Sequence, residues 1–248
     1  MIIIKTPEEI KRIRQSGRLL AQVFREILKL VEPGRITGEL DKSAFSLIKK
    51  LNAKPAFLNF GGYPKTICTS INEQVVHGIP GTYKLVEGDL LSVDIGILYD
   101  EYYADMAVTV GIGKQPQSNV KLIKVTREAL HKGIQQMVPG NRLYDISSSI
   151  QEHVEKEGFS VVRDLVGHGI GRALHEDPQI PNFGKRGTGP KLEEGMVFAI
   201  EPMVNMGSHQ VRTLNENWTV VAADGKPSCH FEHTAVITKD GPEILTKE

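Results

Sequence analysis

The chain has almost no cysteine: Cys68 and Cys229 are the two in 248 residues. A disulfide framework is excluded and free thiols in a reducing compartment are expected, with a single Cys68–Cys229 bridge left open. Long hydrophobic runs are absent too. Met1 to Ile4 is the one apolar stretch ahead of Lys5, far short of a signal-peptide core. Nothing approaches the roughly 20 apolar residues of a membrane span, so a cytoplasmic location is expected. Net charge is missing as well, thirty basic residues balancing thirty acidic ones. The summed field gives no reason to expect nucleic-acid or membrane binding. Neither cysteine lies in a nucleophile motif, and Ser70-Ile71-Asn72 lacks the nucleophile-elbow pattern, which argues against covalent catalysis.

What is present is an ordinary globular composition, 40% hydrophobic and 24% charged, enough for a sizeable core. Thr6, Pro7 and Glu9 form a capping-box start. Ile10, Ile13, Leu20, Val23, Ile27 and Leu30 then keep the helical period, and Pro33-Gly34 is expected to end that helix. A second amphipathic helix is expected from about Thr37 to Leu51. A third from Ser118 to the Pro139-Gly140 stop, and a fourth from about Leu143 to Glu157, repeat the plan. Leu40, Ala44 and Ile48 match Ile146, Ile150 and Val154, and EGDLLSVD ending at Asp94 aligns with EGMVFAIE ending at Glu201. This duplication implies one α+β domain over residues 1–248, with pseudo-symmetric halves near 6–115 and 116–248. Their strands are expected to join in one curved sheet backed by four helices.

The stretch LLSVDIGILYDEYYADMAVTV, Leu90 to Val110, reads as a hairpin. A two-residue turn at Tyr99-Asp100 places Asp94 directly opposite Asp105. Like charges facing each other among Val93, Ile95, Met106 and Val108 are costly unless something positive sits between them. A divalent cation meets that need; two solvated strand acids are the plainer alternative.

The second half supplies further candidate ligands. Glu201 follows the apolar run Met196 to Ile200, and Glu232 sits inside the strand-like HFEHTAVIT. His168 lies in GHGIGRALHEDPQIP between glycines that permit close backbone approach, and His175 follows it. Alone, His168 and His77 are each more often loop residues than ligands. Four acids and an imidazole exceed what one ion needs if some carboxylates bridge, so a two-metal site is the economical reading.

The blocks ICTSINEQVVHGIPG, VDIG with Asp105 downstream, GHGIGRALHEDPQIPN, FAIEPM and FEHTAVIT, in this order over nearly the whole chain, resemble those of type I methionine aminopeptidases. The resemblance implies the pita-bread fold and a hydrolase that removes N-terminal methionine from nascent polypeptides when the second residue is small. It implies two divalent ions (Co, Mn, Fe or Zn) that activate a shared water as hydroxide. Asp94 would chelate one ion, His168 and Glu201 the other, with Asp105 and Glu232 bridging. Glu201 would also take the water proton, His175 would bond the developing oxyanion and His77 the peptide nitrogen. Tyr63, Cys68 and Trp218 match residues lining a methionine pocket. Leu174 stands where many bacterial members have phenylalanine and Phe60 where tyrosine is common; both stay apolar. Partners implied are nascent N-termini, with ribosome contact through the loop Phe183 to Lys191 as one option for that segment, and a monomer is expected. Two rival readings remain: an Xaa-Pro peptidase of the same fold, and a metal-free binding module built on it.

Overall fold

A computed structural model describes residues 1–247. The first half runs α1 (Pro7–Leu28), α2 (Thr37–Lys50), β1 (Lys54–Pro55), β2 (Cys68–Ile71), β3 (Gln74–Val76), β4 (Leu90–Tyr99) and β5 (Tyr102–Gly111). The second runs α3 (Gln117–Gln135), α4 (Leu143–Lys156), β6 (Ser160–Val161), β7 (Val166–Gly169), β8 (Glu176–Pro181), β9 (Val197–Ile200), β10 (Met203–Asn205), β11 (Val211–Thr213), β12 (Val220–Ala222), β13 (Ser228–His230), β14 (Glu232–Thr238) and β15 (Gly241–Ile244). The main sheet has nine strands in the order β1-β4-β5-β14-β9-β7-β8, with β2 also on β4 and β15 also on β14. This curled antiparallel sheet with four helices is the pita-bread arrangement that the resemblance implies.

The helices form where the sequence signals them. Thr6 caps α1, its Oγ1 accepting the Glu9 N–H at 3.3 Å while the Glu9 carboxylate accepts the Thr6 N–H at 2.8 Å. α1 stops at Leu28, short of the expected Pro33-Gly34 end. Its last turn tightens there, Leu30 N–H donating to Ile27 C=O and Val31 N–H to Leu28 C=O. Each helix pair covers its own half of the sheet. Leu20, Phe24 and Ile27 of α1 with Leu40 and Ile48 of α2 bury against Leu91, Val93 and Ile95. Leu122, Leu130 and Ile134 of α3 with Ile146 and Ile150 of α4 bury against Phe198, Ala235 and Ile237. Both cysteines are buried and free.

The duplication extends to individual hydrogen bonds. Gly34 N–H donates to Leu85 C=O at 2.7 Å and Leu85 N–H to Arg35 C=O at 2.9 Å. At the matched place Gly140 N–H donates to Leu192 C=O at 3.0 Å and Leu192 N–H to Asn141 C=O at 2.8 Å. Gly34 (φ 92°) and Gly140 (φ 97°) both occupy the left-handed region that disfavours a side chain, which explains the repeated Pro-Gly.

The hairpin register corrects the expectation from sequence. Its turn is Asp100-Glu101, both left-handed (φ 46° and 68°), as a type I′ turn needs, so Tyr99 pairs with Tyr102. Ser16 of α1 anchors that end, its hydroxyl lying 3.2 Å from Tyr99 C=O and 3.0 Å from Tyr102 C=O. Asp94 consequently pairs with Ala107 and Asp105 with Gly96. The partner has moved by two residues, an even step, so both acids keep a common face and meet diagonally rather than head-on.

The halves join where β5 meets β14. Glu232 pairs with Ala107 and His233 with Met106. On either side of this pair a threonine hydroxyl bridges the strands. Thr234 Oγ1 accepts Asp105 N–H at 3.0 Å and donates to Asp105 C=O at 2.9 Å. Thr109 Oγ1 accepts His230 N–H at 2.9 Å and donates to His230 C=O at 2.8 Å.

Candidate metal centre and substrate pocket

Cys68, Asp94, Ala107 and Glu232 are successive in-register neighbours across β2, β4, β5 and β14, so all four side chains share a face. Asp105, two residues from Ala107, joins them. Ala199 of β9 pairs with both Thr234 and His168, which brings His168 to the same face. Glu201 follows immediately after β9, its Oε1 3.6 Å from His168 Nε2. The methyl-sized Ala107 leaves the space into which these acids converge. The glycines beside His168 are equally constrained: a Cβ on Gly167 would come within 2.5 Å of Ala199 O, and one on Gly169 within 2.1 Å of Asp177 O.

Every acid here is deeply placed. Asp94 is 8%, Asp105 4% and Glu232 2% exposed, and the Glu201 side chain 13%. Asp94 Oδ1 and Glu232 Oε1 are buried with no hydrogen-bond partner. Leaving such atoms unsatisfied costs on the order of 1–3 kcal/mol each. Burial, then the charge of Asp105, raises the carboxyls of Glu201 and Glu232 well above the usual range. Burial followed by Asp105 does the same to Asp94, and burial pushes Asp105 up to about 7. His168 Nδ1 donates to Gly169 C=O at 2.9 Å, which fixes the tautomer and leaves the Nε2 lone pair free. Burial lowers its pKa to about 3. Asp105, His168 and Glu232 each bring one ligand atom within 4.8 Å of the others. Orphaned carboxylate oxygens beside a neutral imidazole nitrogen fit a divalent cation in donor chemistry as well as in spacing.

A cavity of about 540 Å³ opens over this cluster, a size suited to a side chain with part of its backbone. All five expected ligands line it, together with Phe60, Tyr63, Cys68, His77, Leu174, His175 and Trp218. Tyr63 and Trp218 meet edge to face at 5.1 Å, and the Tyr63 hydroxyl lies 3.1 Å from Ile67 C=O and Gly78 C=O, so its ring serves as wall. Cys68 and Leu174 are 3% and 2% exposed within the same apolar cluster. Burial pushes the Cys68 thiol up, which suits a pocket wall and not a nucleophile. Phe60 packs at 5.1 Å on His175, which lies 4.4 Å from His168. His77 adopts φ 59°, an uncommon conformation outside glycine, and burial with the nearby His175 lowers its pKa to about 4. Burial lowers that of His175 too.

His230 was not among the residues picked out from sequence. It is 2% exposed, and its Nε2 lies 3.7 Å from Glu201 Oε2 and 3.9 Å from Glu232 Oε2. The signal available was strand parity in HFEH, which puts His230 and Glu232 on one face and Phe231 on the other.

Comparison with known proteins agrees with this geometry. Residues 11–239 match the model of metallopeptidase family M24. The chain is 51% identical over 246 residues to the methionine aminopeptidase of Clostridium perfringens, covering 99% of each. It is 51% identical over 247 residues to methionine aminopeptidase 1 of Bacillus subtilis, covering 100% of each. The crystal structure of methionine aminopeptidase from Thermotoga maritima superposes with a TM-score of 0.98 at 49% identity over 100% of both chains. With its acids, imidazole and cavity assembled on this fold, the chain belongs to metallopeptidase family M24 and, within it, to the methionine aminopeptidases.

Proposed function

We propose that this site removes the N-terminal methionine of nascent polypeptides whose second residue is small, and that two divalent cations serve it. The observation that carries the reading is the convergence of Asp94, Asp105, Glu201, Glu232 and His168 beneath one cavity, with Asp94 Oδ1 and Glu232 Oε1 left unpartnered. Asp94 would hold one cation and His168 with Glu201 the other, Asp105 and Glu232 being shared. When bound, such ions lower the pKa of water and polarise a carbonyl.

The remaining roles fall to the chain itself. The Tyr63, Cys68, Leu174 and Trp218 wall takes an unbranched thioether side chain. Phe60 against His175 and His77 near Trp218 crowd the mouth, which supports a small second residue. Glu201, whose carboxylate lies beside His168 at the floor of the cavity, is the proton acceptor for the attacking water. His175, neutral and beside His168, donates to the oxygen on which charge develops. His77 faces the peptide nitrogen and positions the leaving amine.

The whole chain, residues 1–248, acts as one catalytic domain and as a monomer. It works in the cytoplasm, where nascent N-termini emerge, with the irregular Phe183–Lys191 segment available to the ribosome. Among the described residues no helix is long and apolar enough to cross a membrane. A peptide series tests the function: with Mn2+ or Co2+ present, Met-Gly and Met-Ala peptides are cut and Met-Leu peptides are spared. Cleavage of Xaa-Pro substrates in preference to Met-Ala would reassign the site to a proline peptidase, and no metal-dependent cleavage of any peptide would leave a binding module.

A further inference from the structure

The metal-facing cluster contains one polar side chain that none of the roles above uses. His230 ends β13, two residues before Glu232, and its backbone is held at both N–H and C=O by the single hydroxyl of Thr109. That hydroxyl gives its own proton to His230 C=O, so the Ser92 hydroxyl, 2.7 Å away, must donate to it. The backbone that carries the imidazole is therefore held on both sides. Its Nε2 is buried and has no hydrogen-bond partner.

The atoms it faces are specific. Nε2 lies 3.7 Å from Glu201 Oε2 and 3.9 Å from Glu232 Oε2, while Glu201 Oε1 faces His168 and Glu232 Oε1 has no partner. Each gap exceeds hydrogen-bond length by about 1 Å, within reach of small side-chain torsions. One unpartnered imidazole nitrogen thus stands between the Oε2 atoms of two carboxylates.

We propose that His230 is a positioning residue of the metal centre: its Nε2–H takes the Oε2 atoms of Glu201 and Glu232 and so holds both carboxylates turned toward the metal site. The inference rests on the proposed metal-binding reading and adds to it the group that orients two ligands. Hydrogen bonds to ligating carboxylates are a recurrent means of setting metal affinity, and their loss typically costs 10- to 100-fold. The neutral Nε2–H donor is chemically replaceable by an amide N–H, whereas a metal-ligating imidazole nitrogen is not.

The test compares His230→Leu and His230→Gln with the unaltered protein, by calorimetric titration of Mn2+ into each metal-free form and by thermal unfolding of the same forms. Expected is a metal-free His230→Leu protein that melts at or above the unaltered temperature, since an unpartnered buried polar group has gone, yet binds Mn2+ about 10- to 100-fold more weakly. His230→Gln recovers affinity to within about threefold. Equal Mn2+ affinity in all three proteins overturns the proposal. So does a His230→Gln protein as weak as His230→Leu, which would make the imidazole a direct ligand. A His230→Leu protein that melts well below the unaltered one also counts against it, because the role would then be structural. An unaltered protein that takes up no Mn2+ would instead defeat the metal-binding reading itself, a result separable from the others.

Discussion

Thr234 and Asp105 meet at the seam between the halves, the threonine hydroxyl accepting the aspartate N–H at 3.0 Å and donating to its C=O at 2.9 Å. A proposed ligand from the first half is thus held by a side chain from the second. Thr234→Val keeps the shape and leaves two buried backbone groups unpaired, at a cost of about 1–3 kcal/mol each. Reduced melting temperature together with reduced Mn2+ affinity is expected, and Thr234→Ser should restore both. A valine variant with unchanged stability would show that the bridge contributes nothing.

Metal uptake should release protons. At pH 6 Asp105, raised by burial to about 7, is mostly protonated in the metal-free protein, and Asp94, Glu201 and Glu232 are raised well above the usual range. A cation coordinates the ionised forms, so binding must expel those protons. Titration of Mn2+ at pH 6 in buffers of different ionisation enthalpy should therefore give different apparent heats. Identical heats would mean that the carboxyls are already ionised despite their burial.

Lys5 and Glu176 form an ion pair whose side chains are 2% and 5% exposed. Glu176 Oε1 also accepts the N–H groups of Arg172 (2.7 Å) and Ala173 (3.1 Å), closing the loop that carries His175. Lys5→Met strands a buried carboxylate, a change that typically costs about 3–5 kcal/mol. Lower thermal stability and a kcat reduced more than KM is raised are expected, His175 being assigned to the transition state. A KM-only effect would detach this loop from that role.

Glu9 offers a pH signature away from the metal. The Thr6 backbone N–H, with the Thr6 hydroxyl, Arg172 and Tyr102, lowers its carboxyl from 4.5 to about 2. A depressed native value adds stability that is complete above the unfolded value, near 4.5, and is lost as pH falls through about 2. Glu9→Gln, which keeps a capping partner but no charge, should cost about 1 kcal/mol at pH 7. The gap in melting temperature between the two proteins should narrow from pH 5 to pH 3. A gap that widens on acidification would reverse the assignment.

Whereas the proposed set of five ligands needed the resemblance of whole sequence blocks, helix placement and the repeated Pro-Gly turns could be read from local pattern, because periodicity and turn chemistry act within a few residues. The hairpin register could not. Both Tyr99-Asp100 and Asp100-Glu101 leave plausible strands, and Ser16, far upstream on α1, anchors the Tyr99–Tyr102 end. His230 escaped for a similar reason. Its relation to Glu201 exists only after β13, β14 and the end of β9 come together, and a histidine two places from an acid carries little meaning alone.

The seam between β5 and β14 also orders events in time. If the proposed ligand set holds, a chain whose second half has yet to pair offers a cation only Asp94 and Asp105, without Glu201, Glu232 or His168. Capture by the whole set would then wait for contacts between segments far apart along the backbone, the slowest kind to form. On the proposed ligand set, a complete cage for a cation exists only in molecules whose two halves have paired.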